Sequence, residues 1–209
     1  MGKKTIQTFD GGKHSAWFIL SSANAYYSLS ATITEKLPRT DEELSSAPPS
    51  IVDLAASATN RILALELYIK ACLVMFRLAV PMVHDLKILY DALPEQTRQT
   101  FEQCFNERCN LMPPHEIGWL AVCFQMADYC DDDALKKEAV SDMSLAALLE
   151  RNREGFLLSR YLFQEGKREE ATRFDYEYRR LSILCGIVCE GLENTIICRP
   201  DWYGRNFDF

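Results

Sequence analysis

Two side chains that flank a predicted helix end are of types that could act on a phosphate group. His84 can accept or give a proton near neutral pH, and the guanidinium of Arg77 can hold a phosphate through paired hydrogen bonds and stabilise added charge. Six residues separate them in the sequence. Together they could cleave RNA without a metal, through attack of a ribose 2′-hydroxyl on the neighbouring phosphate.

Two further charged residues lie close to this pair in the predicted structure. After Arg61, the largely apolar run to Val80 has only three charged side chains, Glu66, Lys70 and Arg77. At a helical step of about 100° per residue, these three side chains fall within roughly 40° of one another. They therefore share one face of a helix, and we expect Glu66 and Lys70 to orient the reacting groups.

Simpler interpretations of the same residues stay open. Glu66 and Lys70 have the spacing and order of an intrahelical ion pair. Arg77 could pair with Glu66 inside the helical core. Asp85 has the side chain of a helix N-cap, so that His84 would merely precede the cap.

The elements that must position these residues are all predicted to be helical. The central helix starts at the N-cap Ser50 and runs to about Ala79, because Pro81 cannot continue it. Apolar residues at helical spacing predict further helices, over His14–Lys36, from Leu86 to Leu93, from Pro94 through Phe105, over Ile117–Tyr129, over Asp142–Gln164 after the cap Ser141, and over Glu169–Asn194. No segment has a credible strand pattern. The predicted fold is all-α, an up-and-down bundle of about six to eight helices around the long central helix.

The chain of 209 residues has no linker in its middle, so we predict a single helical domain over residues 1–209. Residues 1–13 are predicted to be a loosely held polar lead. Residues 37–50 form a proline-rich loop with a short helical turn at Asp41–Leu44. Residues 198–209 are an irregular tail rich in aromatic side chains.

The net charge of −7 and the pI of about 5.1 argue against a general nucleic-acid-binding surface, so any RNA contact must come from a local basic patch. The longest apolar stretch, Ala71–Val83, has only 13 residues and contains Arg77 and Pro81, too short to cross a membrane. The N-terminus has no signal-peptide pattern. We therefore predict a cytoplasmic protein without membrane contact.

The eight cysteines mostly occupy apolar helix positions and are predicted to be buried free thiols. No C-x-x-C pair is present, and Cys104-x4-Cys109 and Cys185-x3-Cys189 are imperfect, so no metal or other cofactor is expected. A second pair, Arg108 and His115, falls in a predicted loop. The arginines of the C-terminal helices alternate with glutamates and are interpreted as a solvated face.

One segment resembles a known family. The sequence ALELYIKACLVM, followed by HDLKILYDALP within Ala64–Pro94, is similar to the HEPN (higher eukaryotes and prokaryotes nucleotide-binding) helical domains. In that family a long helix with a Glu and a Lys is followed by a His-Asp-Leu helix start. The resemblance implies an all-α homodimer in a bacterial toxin–antitoxin or phage-defence system, with an antitoxin or defence protein as partner.

Many HEPN members are metal-independent ribonucleases with an Arg followed closely by a His, which the resemblance places at Arg77 and His84. Our first hypothesis is therefore an endoribonuclease with His84 as general acid/base, Arg77 as phosphate clamp, and Glu66, Lys70 and Asp85 in support. Other members are non-catalytic modules for dimerisation or for binding RNA or a nucleotide, which is the second hypothesis. A binder of small molecules within an apolar bundle interior is the third.

Overall fold

The computed structural model describes residues 6–11, 14–38, 40–46, 49–112, 120–124, 142–153, 155 and 172–198. This described part is mostly helical, as predicted. Its helices are α1 (Ala16–Thr34), α2 (Asp41–Ser46), α3 (Ile51–Met75), α4 (Leu86–Asp91), α5 (Glu95–Asn110), α6 (Leu145–Arg151) and α7 (Tyr178–Cys198). Its strands are β1 (Thr8–Asp10), β2 (Ala79–Pro81), β3 (Leu120–Phe124) and β4 (Thr172–Tyr176).

Helix α3 begins where the sequence predicts. The Ser50 hydroxyl accepts a hydrogen bond from the Asp53 amide at 3.0 Å, which satisfies one of the amides that a helix start leaves without a partner. The helix packs against α1 and α7. Apolar side chains around its circumference are almost completely buried, among them Ile62, Leu65 and Ile69. Burial on several sides explains why the sequence of α3 has so few charged residues.

Helix α3 ends at Met75, earlier than the predicted end near Ala79. The amide of Arg77 bonds to the Val74 carbonyl at 2.9 Å, and the amide of Leu78 bonds to the Leu73 carbonyl at 2.9 Å. These two bonds form a Schellman motif, in which the residue just after the helix cap has a left-handed backbone conformation. Arg77 is that residue, with φ of 55°. The helix is therefore ended by its own capping turn before Pro81 is reached.

Residues 8–10 of the predicted N-terminal lead are paired with the chain that follows α3. Strand β1 pairs antiparallel with β2, with Phe9 opposite Val80. Gly11 then donates to the Leu78 carbonyl at 3.2 Å. A Cβ atom at this glycine would lie 2.3 Å from the Leu78 oxygen and 3.2 Å from the Val74 Cα. Only glycine can approach the end of α3 this closely.

The prediction that the chain has no strands is wrong. Besides β1 and β2, strand β3 pairs antiparallel with β4, with Val122 opposite Phe174. Strand β3 lies inside the segment Ile117–Tyr129 that was predicted to be a helix, and a short apolar run is compatible with either structure. Strand β4 occupies the start of the predicted helix Glu169–Asn194, so that α7 begins only at Tyr178.

Other helix starts were predicted with mixed success. The N-cap Asp85 and the short helix after it are confirmed. The helical turn predicted at Asp41–Leu44 is also confirmed, since α2 begins at Asp41. The N-cap of α6 is Ser144 instead of Ser141, and α6 ends at Arg151, well before the predicted Gln164. His115 and residues 199–209 of the tail lie outside the described residues.

Candidate functional site

Glu66 is the charged centre of the site and lies in the C-terminal half of α3. Its side chain is 2% exposed although it is ionisable. A carboxylate this deeply buried requires opposite charge and hydrogen-bond donors nearby. Lys70, one helical turn further on, donates from Nζ to Glu66 Oε1 at 2.6 Å and is itself only 15% exposed. The predicted intrahelical pair therefore forms, in a largely buried setting.

His84 is the second partner of this carboxylate. After β2 the chain runs to Asp85, whose Oδ1 accepts a hydrogen bond from the Ile88 amide at 3.0 Å and thereby caps α4. This cap fixes the preceding residue, His84, beside α3. Its Nδ1 lies 2.9 Å from Glu66 Oε2 and 3.2 Å from Oε1. The carboxylate thus binds Lys70 and His84 at the same time.

The imidazole is anchored on one side and open to solvent on another. Its side chain is 50% exposed, although its partner Glu66 is buried. An ionised carboxylate only accepts hydrogen bonds, so the proton of the ring is placed on Nδ1. Nε2 is the second ring nitrogen, through which an imidazole in this orientation could exchange a proton with a bound molecule. A carboxylate that holds a histidine in one tautomer is a recurrent arrangement in acid–base catalysis.

Asp85 serves a structural purpose in addition to its cap. Its Oδ2 accepts a hydrogen bond from Arg153 Nε at 3.0 Å and lies 2.9 Å from Arg153 Nη2, and Arg153 also contacts Glu150 at 3.1 Å. The hydrogen bond to Asp85, followed by the one to Glu150, raises the pKa of the Arg153 guanidinium above its ordinary value. The pair ties the start of α4 to the turn that follows α6.

Arg153 is a residue of this region that sequence reasoning missed. It lies 68 positions from Asp85 in the chain, so no local spacing connects the two. Its guanidinium nevertheless lies next to the His84–Asp85 segment, because it contacts the Asp85 carboxylate directly. Only the tertiary structure identifies it.

Arg77 lies away from the carboxylate in the described structure. Met75, the last residue of α3, is nine residues beyond Glu66, or about 13 Å of helix rise. Arg77 follows in the exposed capping turn. The partners of Glu66 are Lys70 and His84, so the alternative that Arg77 pairs with Glu66 is wrong. The structure brings Glu66, Lys70 and His84 together and places Arg77 past the end of α3.

Other arginines of the C-terminal half form ion pairs, and one of them is buried. Glu177 accepts from Arg151 Nε at 2.7 Å and also pairs with Arg180, which is 2% exposed. Arg108, whose predicted partner His115 is not described, instead pairs with Glu190 at 2.5 Å. The interpretation of these late arginines as a solvated face is therefore wrong for Arg180. These ion pairs connect elements of the fold.

In the part of the chain that the structure describes, no group of three or more His, Cys, Asp or Glu residues is arranged to hold a metal ion. The described cysteines are free thiols, and Cys72 and Cys185 are buried as predicted. Burial raises the pKa of the Cys185 thiol to about 12, so this thiol is unsuited to act as a nucleophile.

Comparisons with known proteins give no family assignment. No family model matches the chain, and neither a curated protein nor a solved structure matches it. Across the described residues, none of the helices is both long enough and apolar enough to cross a membrane. The interpretation of the site therefore depends on its own geometry.

Proposed function

We propose that this protein is a HEPN-like, metal-independent endoribonuclease of a bacterial defence or toxin–antitoxin system, with His84 as general acid/base. The observation that carries the proposal is the 2.9 Å contact between His84 Nδ1 and the buried carboxylate of Glu66. A half-exposed imidazole with a fixed tautomer and orientation can meet a substrate at its other nitrogen. Lys70 contacts the same carboxylate at 2.6 Å and balances its charge.

The proposed reaction uses only the RNA and the side chains of the protein. His84 takes the proton from a ribose 2′-hydroxyl, and the 2′-oxygen forms a bond to the adjacent phosphorus. The bond from phosphorus to the 5′-oxygen of the next nucleotide breaks, and that oxygen receives the proton that His84 has taken up. The products are a 2′,3′-cyclic phosphate end and a free 5′-hydroxyl end.

Arg77 is proposed to act as the phosphate clamp of the same site. Its guanidinium suits bidentate contact with a phosphate, and its exposed position is accessible to a polymer. Because it follows Met75, which is already about 13 Å of helix rise beyond Glu66, it would hold a phosphate one or more nucleotides away from the one that reacts. A residue held in the left-handed region is also often found at a functional site.

The broader features of the resemblance belong to this proposal as well. They are a bundle of helices around α3, a homodimer, action in the cytoplasm and an antitoxin or defence protein as partner. With a net charge of −7, the RNA path would need a local concentration of basic groups such as Lys70, Arg77 and Arg153.

The experiment is an RNA cleavage assay in EDTA with the wild-type protein, His84→Ala and the control His14→Ala. General acid–base catalysis contributes about a hundredfold or more to rate, so we expect His84→Ala to lose at least that factor. His14 is exposed, contacts the Phe9 ring edge to face and has no part in the proposed site, so its variant should cleave at the wild-type rate. Cleavage that survives in His84→Ala would contradict the site assignment.

The second candidate function is a non-catalytic HEPN-like module that binds RNA or another ligand. It is favoured by the internal pairing of the charged groups, since Glu66 is neutralised by Lys70 and Asp85 by Arg153. The same assay separates the two functions. Absence of cleavage by folded wild-type protein, together with RNA binding that Arg77→Ala weakens, would favour the module.

A further inference from the structure

A second region of the molecule has the shape of a ligand site and shares no residue with the His84 site. It is a pocket of about 370 Å³ that is open to solvent, a volume within the range of small-molecule sites. Residues of α1, α3 and α7 form its walls. The residues that line it include Tyr27, Thr34, Leu37, Arg61, Ser182 and Ile183.

Arg61 forms the inner wall of the pocket and is only 2% exposed. Its Nε donates to Ser30 Oγ at 2.9 Å, its Nη1 to Ser182 Oγ at 2.5 Å, and its Nη2 to Thr34 Oγ1 at 3.1 Å. The guanidinium also lies over the Tyr27 ring, 4.5 Å from its centroid. Three hydroxyl groups and an aromatic face therefore hold it in one orientation.

This arginine differs from the other buried charged residues of the described structure. Glu66 is paired with Lys70, and Glu177 and Arg180 are paired with each other. Among the described residues, no carboxylate lies within ion-pair distance of Arg61. A buried charge without a counterion is costly, whereas hydroxyl groups offer hydrogen bonds but no negative charge.

These hydrogen bonds do not use all the N–H groups of the Arg61 guanidinium. Arginine has five N–H groups, and the three hydrogen bonds to Ser30, Ser182 and Thr34 use one each. Two N–H groups on the terminal nitrogens thus have no acceptor within the described residues. Paired N–H groups of this kind match the oxygens of a carboxylate or a phosphate.

We propose that this pocket binds an organic anion whose carboxylate or phosphate group pairs with Arg61. The apolar part of the ligand lies against Leu37, Ile183 and the Tyr27 ring. Arg179 and Glu35 also line the pocket, so its formal charge is positive by one unit when Arg61 is counted. The anion supplies the charge that the hydroxyl groups around Arg61 cannot.

The test measures binding by calorimetry with benzoate and phenyl phosphate as probes, and with benzyl alcohol as the uncharged control. We expect the folded wild-type protein to bind at least one of the two anions and not benzyl alcohol. The tighter of the two anions identifies the preferred head group. Absence of binding by both anions, or equal binding of benzyl alcohol, would overturn the proposal.

Two variants on one helix show whether binding occurs in this pocket. Ala31 lines the pocket, so Ala31→Trp fills it without removing any partner of Arg61. We expect its dissociation constant to rise at least about tenfold. Ala25→Trp places the same side chain on an exposed position of α1 and should bind like wild type. Equal affinity of Ala31→Trp and wild type would show that the anion binds elsewhere.

A third variant addresses the charge itself. Arg61→Met removes the buried positive charge and keeps an apolar side chain of comparable length. If its circular dichroism shows a folded protein, phenyl phosphate should no longer raise its unfolding temperature, although it raises that of wild type. The same rise in both proteins would contradict a role for Arg61, and the Ala31→Trp comparison decides the matter if Arg61→Met does not fold.

Discussion

Arg77 occupies a backbone position that glycine usually fills. Its φ of 55° closes the Schellman turn after α3, and a residue with a Cβ atom adopts that conformation at a cost of about 1–2 kcal/mol. The proposed clamp is thus placed on an exposed residue of the turn. The stability of the fold and the use of Arg77 can therefore be measured separately.

We predict that Arg77→Gly is more stable than Arg77→Ala by about 1 kcal/mol in urea unfolding. Both variants lack the guanidinium and all its contacts, so only the backbone conformation separates them. Both should lose RNA cleavage to the same extent if Arg77 is the clamp. An Arg77→Ala protein as stable as Arg77→Gly would show that the left-handed turn is not maintained.

Sequence reasoning was most successful for side chains that act over one or two helical turns. It identified the Glu66–Lys70 pair and the caps Ser50 and Asp85, because each depends on residues three or four positions apart. It did not identify Arg153 or Arg61. Their partners lie 68 and as many as 121 positions away, and no local pattern encodes such contacts.

At the scale of elements, the end of α3 and the strand pair β1–β2 form one unit. Gly11 contacts the Leu78 carbonyl directly after β1, so the N-terminal strand is fastened to the capping turn that holds Arg77. This contact also explains why residues of the predicted loose lead are ordered. Strand pairing depends on residues far apart in the chain, which is why β3 and β4 could not be predicted from their own sequences.

We predict that Gly11→Ala lowers the free energy of unfolding by about 1–3 kcal/mol, because the new methyl group would overlap the Leu78 oxygen. Chemical denaturation measures the loss. Gly186→Ala is the matched control on α7, where the nearest atom to a new Cβ is a side-chain nitrogen of Arg108 at 3.8 Å. That variant should be as stable as wild type or gain up to about 1 kcal/mol from helix propensity. Equal stability of the two variants would contradict the close packing at Gly11.

At the scale of the whole molecule, the described structure has two separate polar sites around one apolar helix. Glu66 faces His84 in one site, and Arg61 faces the anion pocket in the other, although both side chains belong to α3. The predominance of helix was predictable because the apolar residues, 48% of the chain, recur mostly at helical spacing. The division into two sites depends on which elements pack against each face of α3, and the sequence does not specify that packing.

The proposed homodimer is a prediction at this scale. Light scattering after size-exclusion chromatography should give a mass of twice the 24.0 kDa of the chain. The measurement should be made at concentrations used for RNA cleavage, since mass action governs dimer formation. A monomer that cleaves RNA at the full rate would contradict a dimeric active form.

The most direct test of the catalytic proposal is the single-turnover rate of RNA cleavage by Glu66→Gln in EDTA. The neutral amide cannot hold the His84 imidazole as the carboxylate does. We therefore predict that the cleavage rate falls at least about a hundredfold. Glu177→Gln is the matched control, because Glu177 is equally buried and paired but belongs to the Arg151–Arg180 cluster. It should cleave at the wild-type rate. A Glu66→Gln protein that cleaves as fast as Glu177→Gln would contradict the role assigned to the Glu66–His84 pair.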